Sequence, residues 1–62
     1  MYRITQTTDN QHLGEVLLSA EPGQIITFAD GDVVAVEKTF SNPDGTELVV
    51  ISTNYQMTLV KE

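Results

Sequence analysis

Turn signals divide this chain at short, regular intervals, the pattern of a small β-sandwich or barrel. The strongest is Ser41-Asn42-Pro43-Asp44-Gly45. Pro43 presets φ at the first central turn position, and Gly45 accepts a positive φ as pairing resumes. Two β-rich runs flank it, Asp32 to Phe40 and Thr46 to Thr53, so a hairpin is expected here. A second signal, Ala29-Asp30-Gly31-Asp32, joins the run Gln24 to Phe28 to the strand that begins at Asp32. Asp-Gly between apolar runs is among the strongest short-range hairpin signals. Glu21-Pro22-Gly23 makes a third break, just before the Gln24 to Phe28 run.

Size limits what can hold such hairpins together. The chain has 62 residues and no cysteine, enough for one domain and one core without disulfide support. A domain of this length buries only about 60% of the surface its unfolded chain exposes. Side-chain packing must supply the stability, helped in some small domains by oligomerisation. The hydrophobic fraction of 40% suffices for a folded domain and is too high for a disordered one. Val34, Val36 and Phe40 lie on one face of their strand with Val33 and Ala35 on the other, and Leu48-Val49-Val50-Ile51 is apolar without alternation. Such runs are buried on both sides, which predicts a sheet bent back over itself. The expected core is Ile4, Val16, Leu18, Ile26, Phe28, Val34, Val36, Leu48, Val50, Met57 and Leu59.

The first third of the chain supports two readings. Leu13, Val16, Leu17 and Ala20 fit helical spacing, with Thr8 as a cap and Gln11 three residues on. Gly14 within that helix would cost about 1 kcal/mol relative to alanine. The other reading turns the chain at Asp9-Asn10-Gln11 and runs a strand from His12 to Leu18. The hairpin is favoured.

Chemistry-bearing motifs are few. There is no Gly-x-Ser-x-Gly elbow and no cysteine nucleophile, and the four glycines form no phosphate-cradling loop. His12 is the only histidine, with Asp9 and Glu15 near it in sequence. Beside a turn it is expected to be a solvated surface residue rather than a general base, which needs an orienting acid and a target in reach. Asp30-Gly31-Asp32 resembles a fragment of a calcium loop but lacks the further oxygen ligands such a loop requires. Turn chemistry is the expected role there and at Asn42-Pro43-Asp44-Gly45, with no metal, no cofactor and no catalytic residue.

Ser52-Thr53-Asn54-Tyr55 resembles the Ser-Asn-Tyr element near the end of SH3 domains, where a short 3₁₀ turn joins the last two strands. The resemblance covers four residues. The chain has no Ala-Leu-Tyr-Asp-Tyr segment and no tryptophan, and its aromatic residues are only Tyr2, Phe28, Phe40 and Tyr55. The aromatic-lined groove with which SH3 domains hold proline-rich ligands is therefore not expected. The resemblance implies geometry and not SH3 function.

These features together predict an all-β domain over residues 1–62, a small SH3-like barrel or strongly bent antiparallel sheet of five to six strands. Net charge is −6, with Arg3, Lys38 and Lys61 the only basic residues. Binding to a phosphate backbone or an anionic membrane needs clustered cations, so neither is expected. Residues Met1 to Thr5 lack a signal-peptide core, and a cytoplasmic location is expected. The expected function is a non-catalytic protein-binding module: an accessory, adaptor or inhibitor protein, by analogy with compact accessory proteins of phages and bacteria. The expected contact residues are Asp30, Asp32, Glu37, Asp44 and Glu47, forming an acidic rim, with Glu37 and Glu47 close together across a hairpin. The alternatives are a structural homo-oligomer and an acidic nucleic-acid mimic that meets a basic partner.

Overall fold

All three turn signals become chain reversals in the computed structural model, which describes all 62 residues. At Glu21-Pro22-Gly23 the Gln24 N–H donates to the Glu21 carbonyl at 3.0 Å, and Gly23 has φ +86. This is a type II turn, with proline and glycine at the positions that type requires. At the second turn, the Gly31 N–H reaches the Phe28 carbonyl at 3.0 Å, and the Phe28 N–H reaches the Asp32 carbonyl at 2.8 Å. At the third, the Gly45 N–H donates to the Asn42 carbonyl at 3.0 Å. Asn42 Oδ1 accepts from the Glu47 N–H, and Asp44 Oδ1 accepts from both the backbone and the hydroxyl of Thr46.

The reversals connect seven strands: β1 (Tyr2–Thr7), β2 (Val16–Leu17), β3 (Ile25–Thr27), β4 (Val33–Ala35), β5 (Lys38–Ser41), β6 (Glu47–Ser52) and β7 (Tyr55–Lys61). The fold is all-β, with two antiparallel sheets. Five strands pair in the order β2-β1-β7-β6-β5, and β3 pairs with β4. No helix forms at residues 8–20, so the hairpin reading holds in outline. The second strand is much shorter than expected, two residues instead of seven. Ile4 extends the pairing with single bonds, from its N–H to the Glu15 carbonyl and from the Gly14 N–H to its own carbonyl.

The expected single strand from Asp32 to Phe40 is broken into β4 and β5, which accounts for one of the additional strands. The Val36 N–H donates to the Gln24 carbonyl, whereas the Glu37 N–H donates to the Ile51 carbonyl. Adjacent residues thus bond to different sheets, and the chain turns a corner between them. The Ser52–Tyr55 element also differs from expectation. It is a two-residue hairpin turn with Ser52 opposite Tyr55 and no 3₁₀ turn.

Between the sheets lies a core of Ile4, Ala20, Ile26, Phe28, Val34, Val36, Val50, Met57 and Leu59. Eight of these were expected. Leu48 is only half-buried, and Val16 and Leu18 are exposed. Val16 sits opposite Arg3 on the outer face, and Leu18 lies beyond the end of β2, 82% exposed. A strand of two residues cannot carry alternation from 12 to 18, and a shift of one residue exchanges the faces. Ala20 enters the core instead. A bulge in β1 acts in the same way. Ile4 opposes Leu59 and Gln6 opposes Thr58, so Thr5 is the extra residue. The bulge turns Thr7 inward, where its hydroxyl donates to the Gln11 carbonyl at 2.8 Å. No helix is long and apolar enough to cross a membrane.

Two predictions follow from turn and core. Gly45 has φ +75, and a Cβ placed there would meet nothing within 4 Å. Gly45→Ala should therefore cost about 1 kcal/mol by conformation alone, and Gly45→Asn should cost less, because asparagine tolerates this region. Denaturant titration measures both. Leu59 is fully buried, so Leu59→Ala should cost about 2–5 kcal/mol, enough to unfold much of a domain this small. Leu18→Ala should stay within about 0.5 kcal/mol. Similar costs at the two leucines would mean that the inward face of the sheet is misassigned.

Candidate functional site

The β3–β4 turn and the loop between β1 and β2 meet at one histidine. His12 lies in that loop with φ +63, a backbone region in which histidine is several-fold enriched among non-glycine residues. Three residues earlier in the same loop, Asp9 Oδ1 accepts the Gln11 N–H at 3.0 Å and the Tyr55 hydroxyl at 3.1 Å. This ties the loop to β7. The imidazole then lies flat on Phe28, with ring centroids 3.8 Å apart and planes 8° from parallel. Its side chain is 5% exposed. The expectation of a solvated surface histidine is therefore overturned: a long-range stack on a core aromatic buries the ring.

Three carboxylates face the two ring nitrogens. Glu15 Oε2 lies 2.7 Å from Nδ1. Asp32 Oδ2 lies 3.0 Å from Nε2, and Asp30 Oδ2 lies 3.7 Å from it. An ionised carboxylate only accepts hydrogen bonds, and a neutral imidazole has one donor and one lone pair. Either neutral tautomer therefore points a lone pair at a carboxylate, and the arrangement calls for a positive charge at the ring. The effect on His12 follows. Burial works to lower its pKa, but the hydrogen bonds to Asp32 and Glu15, with the charges of Asp30 and Glu15, outweigh burial and raise it above the ordinary histidine value.

The two expected contact residues on the β3–β4 turn are thus brought together at His12. Asp30 Oδ1 accepts the Asp32 N–H at 3.0 Å, which leaves Oδ2 of each residue directed at the ring. The other three residues lie elsewhere. Glu37 sits at the corner between the sheets and accepts the Thr53 hydroxyl at 2.7 Å. Asp44 is held in its turn, where the Thr46 hydroxyl and N–H depress its pKa. Glu47 opposes Val60. The expected closeness of Glu37 and Glu47 is wrong. Glu37 bonds to Ile51, and Ile51 lies four positions along β6 from Glu47, about 14 Å at the usual rise per residue. The break between β4 and β5 sets this register, so the acids form separate groups and not one rim.

Sequence reasoning missed the His12 cluster. Its local part was visible, since Glu15 lies three residues from His12. Its long-range part, Asp30 and Asp32, depends on how the loop folds onto the turn, and no spacing along the chain encodes that. Beside the cluster, Asp9, His12, Asp32, Val33 and Tyr55 line an open hollow of about 210 Å³. That is smaller than the clefts that enclose drug-sized ligands. The chain matches no protein-family model, no curated protein and no solved structure.

The cluster makes a prediction about pH. Because the folded-state pKa of His12 is raised, the protonated ring stabilises the fold fully below the unfolded value of about 6.5, and this contribution is lost as pH rises through the folded value. The denaturation midpoint, measured with EDTA present, should fall as pH is raised above about 6.5. His12→Asn should flatten that fall. Asp9 and Asp44, held low by bonds from Gln11 and Thr46, act at the acid end. Their contribution is present above about pH 4 and is lost below it. A midpoint in the wild-type protein that is constant from neutral to alkaline pH would contradict the raised pKa.

Proposed function

We propose that this chain is a non-catalytic protein-binding module, and that its partner adds an extended segment to the free edge of β5. The observation that carries the reading is the state of that edge. The Asn42 N–H bonds to the Glu47 carbonyl at 3.1 Å, and β5 continues in register with Phe40 opposite Val49 and Lys38 opposite Ile51. In an antiparallel ladder, alternate residues turn their backbone groups to the partner strand. Residues 38, 40 and 42 bond toward β6, and Thr39 and Ser41 turn theirs outward, where no strand pairs with them. An unpaired row of this kind is a template for strand addition.

Side chains around the edge indicate what kind of segment it suits. Phe40 is 57% exposed, and with Ile51 it lines an open hollow of about 410 Å³ whose other residues include Glu37 and Lys38. The apolar floor would receive one side chain of the incoming strand. Glu37 stands near one end of β5, and Asp44 and Glu47 near the other, which favours a segment with cationic residues at both ends. The acids steer the encounter and the apolar contact holds it. Division of the acids among separate places supports local steering over imitation of a phosphate row. A homo-oligomer is the second reading. Ile25 and Val33 project from the outer face of β3 and β4 at 64% and 60% exposure, apolar surface that a second copy could cover. The two sheets, joined by the corner at Val36 and Glu37, also suit an SH3-like barrel, which would leave the same edge open.

The experiment uses Thr39→Pro, which removes an N–H that no strand of the chain uses and is tolerated best at an edge. A partner captured by the wild-type chain should be lost by this variant while circular dichroism stays unchanged. Its association rate should fall as salt approaches 0.15 M, where the Debye length is about 8 Å, and should fall again with Glu37→Gln and Glu47→Gln. A partner held equally by Thr39→Pro would dismiss the β5 edge. A sedimentation coefficient that rises with protein concentration would favour the homo-oligomer instead.

A further inference from the structure

We propose that His12, Asp30 and Asp32 form a binding site for one transition-metal dication of the zinc class, with Glu15 orienting the imidazole. The three ligand atoms lie within 4.8 Å of one another. The histidine is the anchor. Its side chain is 5% exposed, its plane is fixed against Phe28, and Nε2 faces the two aspartate oxygens. With Nδ1–H donating to Glu15, Nε2 presents its lone pair to the space between those oxygens. Two anionic oxygens and a lone pair converging on one point are what a cation satisfies.

Distances select the kind of cation. Zinc takes nitrogen and oxygen ligands at about 2.0–2.2 Å, so neighbouring ligand atoms in a tetrahedron stand about 3.4 Å apart. The observed separations of 3.0 and 3.7 Å from Nε2 bracket that value, and small rotations of the aspartate side chains bring both into place. Asp30 and Asp32 are about half exposed or more, which gives the ion an entry path and the carboxylates room to move. Calcium and magnesium take oxygen ligands almost exclusively, and an imidazole in the set directs the site toward zinc and its neighbours. Glu15 on the far nitrogen is the outer carboxylate that orients metal-bound histidines and raises their basicity. Three protein ligands leave a fourth position for water. A bound ion would join the β1–β2 loop to the β3–β4 turn.

The rival occupant of the same space is a proton on Nε2, and the experiment separates the two. Zinc chloride is titrated into the wild-type chain at pH 7.5 by calorimetry, in a buffer free of chelators, while the His12 ring protons are followed by NMR. The expected result is one zinc ion per chain at micromolar affinity, displacement of the His12 signals, a rise in melting temperature with added zinc, and no competition from excess magnesium. Asp32→Asn and Asp30→Asn keep the turn acceptor and the exposed positions, so both should fold. Each should weaken zinc binding by about tenfold or more. Glu15→Gln should weaken it by about 10- to 100-fold without changing stoichiometry, and His12→Asn should abolish it. Ring signals that respond to pH but not to zinc would show that a proton alone occupies the site, and the proposal would fall. It would fall equally if zinc bound with unchanged affinity in both aspartate variants.

Discussion

The structure depends on burial of one small hairpin against a larger sheet. Ile26, Phe28, Val34 and Val36, from β3, β4 and their flanks, meet Ile4, Val50, Met57 and Leu59 from β1, β6 and β7. Nothing else is large enough to hold the sheets together. There is no disulfide, and the ion pair between Arg3 and Glu62 lies on the surface, where such pairs contribute little. Apolar area removed from water stabilises by roughly 25 cal/mol per Å², and in a chain this short a handful of side chains accounts for most of it. Each must face inward, so the bulge at Thr5 and the corner at Val36 are requirements of the core.

The same packing explains why the acidic turn between β3 and β4 meets His12. Phe28 is both a core residue, 4% exposed, and the surface on which the imidazole lies. Fixing Phe28 in the core places its ring at the mouth of the β3–β4 turn, beside Asp30 and Asp32. The loop before β2, tied to β7 through Asp9 and Tyr55, delivers His12 to that ring. A polar cluster is thus assembled on an apolar platform, and the charge balance at His12 follows from three acids that local turn geometry brings near.

What could be read from the sequence was local in its causes. The three turns were legible because Pro22-Gly23, Asp30-Gly31 and Pro43-Asp44-Gly45 carry their conformations within a few residues. The all-β class and most of the core followed from alternation within the strands they bound. Leu18 was misplaced because β2 ends at Leu17, and no residue near it marks that end. The closeness expected of Glu37 and Glu47 failed because Val36 and Glu37 bond to different sheets, and valine followed by glutamate gives no local sign of a corner. His12 was misread for the plainest reason of this kind: its neighbours Phe28, Asp30 and Asp32 lie 16 to 20 residues away.

Strand β7, nearest the C-terminal end of the chain, lies in the middle of the larger sheet, between β1 and β6. A ribosome would therefore make the central strand after every strand it joins. Until β7 emerges, β1 has no long partner, and the β3–β4 and β5–β6 hairpins stand alone, a state that is marginal in water. The nascent chain gains its cooperative structure only once β7 has been made. Pairing of Tyr2 with Lys61 closes the sixty residues from one to the other into one loop, a topology that folds slowly for its size.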